Sequence, residues 1–123
     1  MNSHWMEHNG KRVFIADFRG FEMNSSGLQQ ECENIKAELS AQPLKSVRSI
    51  SVIEGTVGTP EILHIFKDLL PYTNKYVARR AAVGLVGARR KFIDVLDKLT
   101  GGTHFVTFDT LPEALDWIVQ DDS

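Results

Sequence analysis

Two glycine-bearing loops hold the residues of this chain best suited to chemistry. The first reads Glu54-Gly55-Thr56-Val57-Gly58-Thr59-Pro60, and the second Gly84-Leu85-Val86-Gly87-Ala88-Arg89-Arg90-Lys91. Thr56 and Thr59 offer hydroxyls, and Gly58 lets the backbone come close to a bound group. A helix opening at Pro60 would present N–H groups and a partial positive charge, worth about 0.3–1 kcal/mol to an anion from the dipole alone. In the second loop Gly84 and Gly87 permit close approach while Arg89 and Arg90 supply cations. Each feature has a structural alternative. Thr59 suits a helix N-cap, Thr56 a turn hydroxyl, and the glycines a tight strand-to-helix turn.

Other chemistries find less support. Neither G-x-x-x-x-G-K-[ST] nor a G-x-S-x-G elbow occurs, so phosphate-loop and serine-hydrolase patterns are absent. Asp17 ends the first core strand, where receiver domains place a carboxylate, but the accompanying acidic pair, Thr and Lys are not found. A turn or cap role is expected for it. His4, His8, His64 and His104 are scattered with no ligand spacing, so no metal or other cofactor is expected. The single cysteine, Cys32, sits in a helical stripe and reads as a small buried apolar group. Trp5 and Trp117 read as packing or interface aromatics.

The chain has 123 residues, 42% hydrophobic and 24% charged, which fits one domain, 1–123, with one core. Its apolar runs fall far short of the ~20 residues that span a bilayer, and residues 1–10 hold no apolar signal core. A cytoplasmic protein without a transmembrane segment is expected. Net charge is −2, yet residues 79–91 carry five cations and no acid; taking that +5 from the total leaves −7 elsewhere. The asymmetry points to an anionic partner near 79–91, or to solvated surface charge. The overall acidity argues against a nucleic-acid partner.

The elements that must position these residues follow from periodicity. Residues 4–7 and 12–18 flank Asn9-Gly10 and predict a β-hairpin. Ser25 or Ser26 is expected to cap a helix with the stripe Leu28, Cys32, Ile35 and Leu39, closed at Gln42-Pro43. A strand over 50–53 leads to a helix capped by Thr59, with Ile62, Phe66 and Leu69 inward and Pro71 at its end. A strand over 76–83 leads to a third helix carrying Phe92, Leu96 and Leu99, which Gly101-Gly102 stop. A strand over 104–108 and a capping box, Thr110 to Glu113, introduce the last helix. The fold expected is α/β: a mixed, mostly parallel sheet of four or five strands, four helices and an N-terminal β-hairpin.

Several stretches together resemble a known group. They are Lys11-Arg12-Val13-Phe14-Ile15-Ala16-Asp17-Phe18-Arg19-Gly20, Ala81-Ala82-Val83-Gly84-Leu85-Val86-Gly87 with Arg90-Lys91-Phe92, Leu99-Thr100-Gly101, and Phe108-Asp109-Thr110-Leu111-Pro112-Glu113-Ala114-Leu115-Asp116-Trp117. Over roughly residues 11–119 the chain resembles the SpoIIAA-like proteins of the STAS and CRAL-TRIO-like α/β fold. The resemblance implies a bacterial, non-enzymatic regulatory or protein-interaction domain, with a protein partner or self-association as a homodimer. The alternative it implies is a carrier of a small apolar ligand or lipid. Phospho-switched STAS relatives carry Asp-Ser-Ser-Gly at a helix start; residues 54–60 occupy the comparable place and lack that motif. The expected anion or partner site is Thr56, Gly58, Thr59, Gly84, Gly87, Arg89 and Arg90.

Overall fold

Asn9 and Gly10 decide how the chain begins to fold. Both have positive φ, 51° and 79°, as a two-residue type I′ turn requires. They join β1 (His4–His8) to β2 (Lys11–Asp17) as an antiparallel pair with His8 opposite Lys11. The computed structural model describes residues 2–21, 24–53, 60–84, 98 and 106–120. Within them β3 (Val47–Val52), β4 (Val77–Val83) and β5 (Val106–Phe108) complete a five-stranded sheet in the order β1-β2-β3-β4-β5. The pairs β2–β3, β3–β4 and β4–β5 are parallel. The mixed, mainly parallel sheet and N-terminal hairpin are therefore as the sequence predicts.

Among the described residues three helices accompany this sheet: α1 (Ser25–Ser40), α2 (Pro60–Thr73) and α3 (Leu111–Ile118). The helix expected around Phe92, Leu96 and Leu99 lies outside the described residues. Strands that advance one place at a time, joined by right-handed crossovers, put successive helices on one face. α1 and α2 accordingly share a core with Phe14, Ala16, Phe18, Val47 and Ala82. α3 covers the other face, against Val13, Ile15, Ile50, Val52, Ala81 and Val83. Consecutive residues of β2 thus enter different cores, which is why Val13-Phe14-Ile15-Ala16 is apolar without a break.

β4 carries one irregularity. Val47 pairs with Val77 but Arg48 pairs with Arg79, so Ala78 is an extra residue, a bulge. The bulge shifts the inside–outside alternation by one. Val77 joins the α1/α2 core, whereas Arg79 and Ala81 lie toward α3.

The helix stripes fall where the spacing puts them: Leu28, Cys32, Ile35 and Leu39 are buried in α1, and Ile62, Phe66 and Leu69 in α2. Three boundaries differ from expectation by more than a neighbouring residue or in the residue that caps: β3 begins at Val47 rather than Ile50, and the two others concern the helices. The α1 cap is Asn24, whose side chain accepts from Gly27 N at 3.1 Å, rather than Ser25 or Ser26. A β-carbon on Gly27 would come within 2.5 Å of that cap side chain, so glycine leaves room for it. α2 runs two residues beyond Pro71, to Thr73, because Thr73 Oγ1 and Arg80 both donate to Leu70 O (3.2 and 3.5 Å) and hold the last turn. No helix among the described residues is long and apolar enough to cross a membrane.

Phe18 and Phe66 meet edge to face, with centroids 4.9 Å apart, where β2 ends against α2. Truncation there removes two-sided packing. Phe66→Ala is expected to lower unfolding free energy by about 3–5 kcal/mol in urea titrations, and a loss under about 1 kcal/mol would contradict this packing.

Candidate functional site

The carboxyl ends of the parallel strands form one row. Asp17 pairs with Val52, Val52 with Val83, and Val83 with Phe108. Ile53 N donates to Val83 O at 3.0 Å, so the chain leaves β3 and β4 side by side for the two glycine-bearing loops. Of the site residues expected from sequence, Gly84 is in view: it directly follows β4 with φ of 91°, a conformation that favours glycine. Its presence is explained by the turn. Thr56, Gly58, Thr59, Gly87, Arg89 and Arg90 lie outside the described residues.

At this same edge the first turns of α1 and α2 bound an open groove of about 550 Å³, lined by Ser25, Ser26, Gln29, Pro60, Glu61, His64 and Ile65. Both helices follow strands of one parallel sheet, so both point their N-termini, and their positive dipole ends, toward this edge. Ser25 and Ser26, which the cap does not use, contribute to its wall.

The remaining polar candidates are taken up by the fold. Asp17 is buried, and its carboxylate accepts from Arg19 three times: the backbone N and Nε at 3.0 Å to Oδ1, and Nη2 at 2.8 Å to Oδ2. The Arg19 guanidinium holds the Asp17 carboxyl below the usual range, while partial burial works the other way. Asp17 is therefore the last residue of β2 rather than a turn or cap residue, and its carboxylate is locked to Arg19. Burial pushes the Cys32 thiol up to about 12, which keeps it protonated and unreactive at neutral pH. Among the described residues no three His, Cys, Asp or Glu side chains are grouped closely enough to hold a metal ion. His8 Nε2 lies 2.9 Å from Asp116 and His64 3.7 Å from Asp68, whereas His104 is outside the described residues.

The basic segment divides at its first two residues. Arg79 stacks over the Trp117 ring at 4.1 Å and donates to Gln120 O at 2.6 Å, closing the carboxyl end of α3. Arg80 points to the opposite face and donates to Thr73 Oγ1 (2.6 Å) and Asn74 Oδ1 (2.9 Å) at the end of α2. Burial lowers the Arg80 pKa to about 10, so it stays charged at neutral pH. Each cation thus meets the negative end of a helix. Arg80 also borders a cavity of about 20 Å³ beneath α1 and α2, shared with Ser49, Ser51 and Thr73. Such a space holds about one water.

Periodicity gives no hint of two further polar residues. Glu31 is buried in α1, where its carboxylate accepts from Asn2 N (3.1 Å) and Ser3 N (2.9 Å) and ties down the start of the chain. Arg48 of β3 has its Nε buried without a hydrogen-bond partner. Its position inside a short β-branched run is the one signal that sets it apart.

The lowered pKa of Asp17 fixes the sign of a pH effect. Its pairing contributes stability above the unfolded carboxylate pKa and loses it as pH falls through the folded value. Asp17→Asn is therefore expected to cost about 1 kcal/mol near neutral pH, discounted because Arg19 is half exposed. The gap between variant and parent in urea midpoint closes below the ordinary carboxylate range. A gap that persists unchanged in acid would contradict the assignment.

Compared with known family models, with curated proteins and with solved structures, the chain matches none.

Proposed function

We propose that the chain is a non-enzymatic, STAS-like regulatory module of the SpoIIAA-like kind, which binds a protein partner, or a second copy of itself, at the carboxyl edge of its sheet. The observation that carries this reading is the groove between the first turns of α1 and α2. Its volume of about 550 Å³ falls within the range of binding sites. It is open and mixed in character, with Ser, Gln, Glu and His around Pro60 and Ile65, which suits a protuberance of another protein better than an enclosed small molecule. Two helix N-termini make it favourable to an acidic group.

Thr56 and Thr59 lie four residues and one residue before Pro60 in sequence. On this reading, a phosphate on either adds negative charge next to the groove and changes which partner is accepted. Gly84 makes the turn that leaves β4, and on the same reading Gly58 and Gly87 belong to the partner loops and Arg89 and Arg90 offer charge to an acidic partner. Of the reactive groups weighed above, Cys32 is held as a buried thiol and Asp17 is occupied by Arg19.

The apolar-carrier alternative finds little room. The cavity under α1 and α2 is about 20 Å³, against the roughly 300–1,000 Å³ of ordinary ligand sites. A lipid would have to part the two helices from the sheet.

A photo-crosslinking residue placed at His64, which is mostly exposed, tests the groove in cells of the native host. The expected result is a discrete adduct from position 64 and none from Gln30, an exposed α1 position outside the groove. An adduct of twice the chain mass would identify a second copy as the partner. Equal labelling at both positions, or none at 64, would overturn the proposal.

A further inference from the structure

β1 is the outermost strand on one side of the sheet, so half of its backbone polar groups point away from β2. The two-residue turn at Asn9-Gly10 makes His8 and Lys11 a hydrogen-bonded pair, and bonded pairs then alternate along an antiparallel ladder. His4, Met6 and His8 therefore give their N–H and C=O groups to β2, while Ser3, Trp5 and Glu7 turn theirs outward. Glu31 fits this alternation, since its carboxylate accepts the outward N–H of Ser3 at 2.9 Å. Trp5 and Glu7 are left with two donors and two acceptors, and among the described residues no strand lies against them. Such an edge is a template for another strand.

The side chains select which strand fits. Three antiparallel registers would match the outward groups of β1 with those of a second copy. Centred on Trp5, the pairing sets Glu7 against Ser3, whose N–H Glu31 already holds. Centred on Glu7, it sets two carboxylates side by side, which repel. Centred on Met6, it sets Trp5 opposite the second copy's Glu7, twice by symmetry, on the face that α1 covers. Charge is then complementary. Arg12 stands opposite Glu7 in its own chain, yet its guanidinium lies over the Trp5 ring at 4.3 Å, beside the place where the second copy's Glu7 arrives. Glu7 and Arg12 are both exposed, and among the described residues neither forms an ion pair. On the other face the two Met6 side chains, each packed on its own α3 core, come together.

We infer that the outer edge of β1 is a docking surface for a second copy of this chain, paired antiparallel about Met6 so that two five-stranded sheets join into one. This surface is separate from the groove between α1 and α2, and it stands or falls independently of the function proposed above.

Sedimentation equilibrium of the full chain should show a reversible dimer. Glu7→Pro removes one outward N–H from each copy without touching a bond to β2, and is expected to weaken dimerisation about tenfold or more. The register is read by cysteine. Opposed Met6 residues would form a non-hydrogen-bonded pair with Cα atoms about 4.5 Å apart, within reach of a disulfide. Met6→Cys under mild oxidation is therefore expected to give a covalent dimer rapidly, whereas His4→Cys, which faces position 8 of the second copy, gives little. Cys32 is buried and does not compete. The cysteine variants keep the test decisive even where Glu7→Pro disturbs the hairpin. A parent that stays monomeric at every concentration would overturn the inference, as would equal crosslinking from positions 4 and 6. A dimer that Glu7→Pro leaves at full strength would also overturn it and assign self-association to another surface.

Discussion

A parallel sheet buried on both faces is the constraint on which the rest of this structure depends. β2, β3 and β4 cannot face water on either side, since Val13 and Phe14, adjacent in sequence, are both fully buried in different cores. α1 and α2 must therefore cover one face and α3 the other. Burial of a side chain such as Phe14 or Ile50 contributes about 1.5–3 kcal/mol, and removing either layer would expose many of them at once. The Ala78 bulge matters for the same reason: by shifting phase it lets Val77 fill one core while Ala81 fills the other.

Once both faces are covered, polar chemistry is confined to the two edges of the sheet and the helix ends. Several charged groups are consumed in finishing the fold. Arg79 and Lys11 close α3, Arg80 closes α2, and Glu31 anchors the first residues to α1. Trp5 is held between an edge contact with Phe14 and a 2.7 Å hydrogen bond to Glu38. Among the described residues, these groups leave available a groove at the carboxyl edge. That groove is an open surface beside two helix N-termini.

Much of the fold was legible because local signals agreed with tertiary demands. Asn9-Gly10 marked its turn by tolerating positive φ, the α1 and α2 stripes marked their buried faces, and Thr110 with Glu113 marked the start of α3, where Glu113 N lies 3.5 Å from Thr110 Oγ1. Misplaced boundaries came from competition among similar residues. Asn24, Ser25 and Ser26 all cap helices, and only geometry selects Asn24. Pro71 reads as a stop, but contacts from Arg80, distant in sequence, let the helix continue. The candidate sites were less legible for a related reason. The +5 charge of 79–91 looked like one patch, yet a strand turns successive residues to opposite faces, so Arg79 and Arg80 serve different helices. A bulge changes which residues become neighbours without leaving a composition signal, and so the pairing of Arg48 with Arg79 was not legible.

Native-state hydrogen exchange, followed residue by residue, tests the two-faced core most directly. If both helix layers are needed to bury one sheet, the amides of Ile15 in β2, Ile50 in β3 and Ala82 in β4 should open together, with a free energy equal to that of global unfolding in urea. Amides of β4 opening at markedly lower free energy than those of β2 and β3 would contradict the account, because that strand could then separate while the rest of the sheet stayed folded.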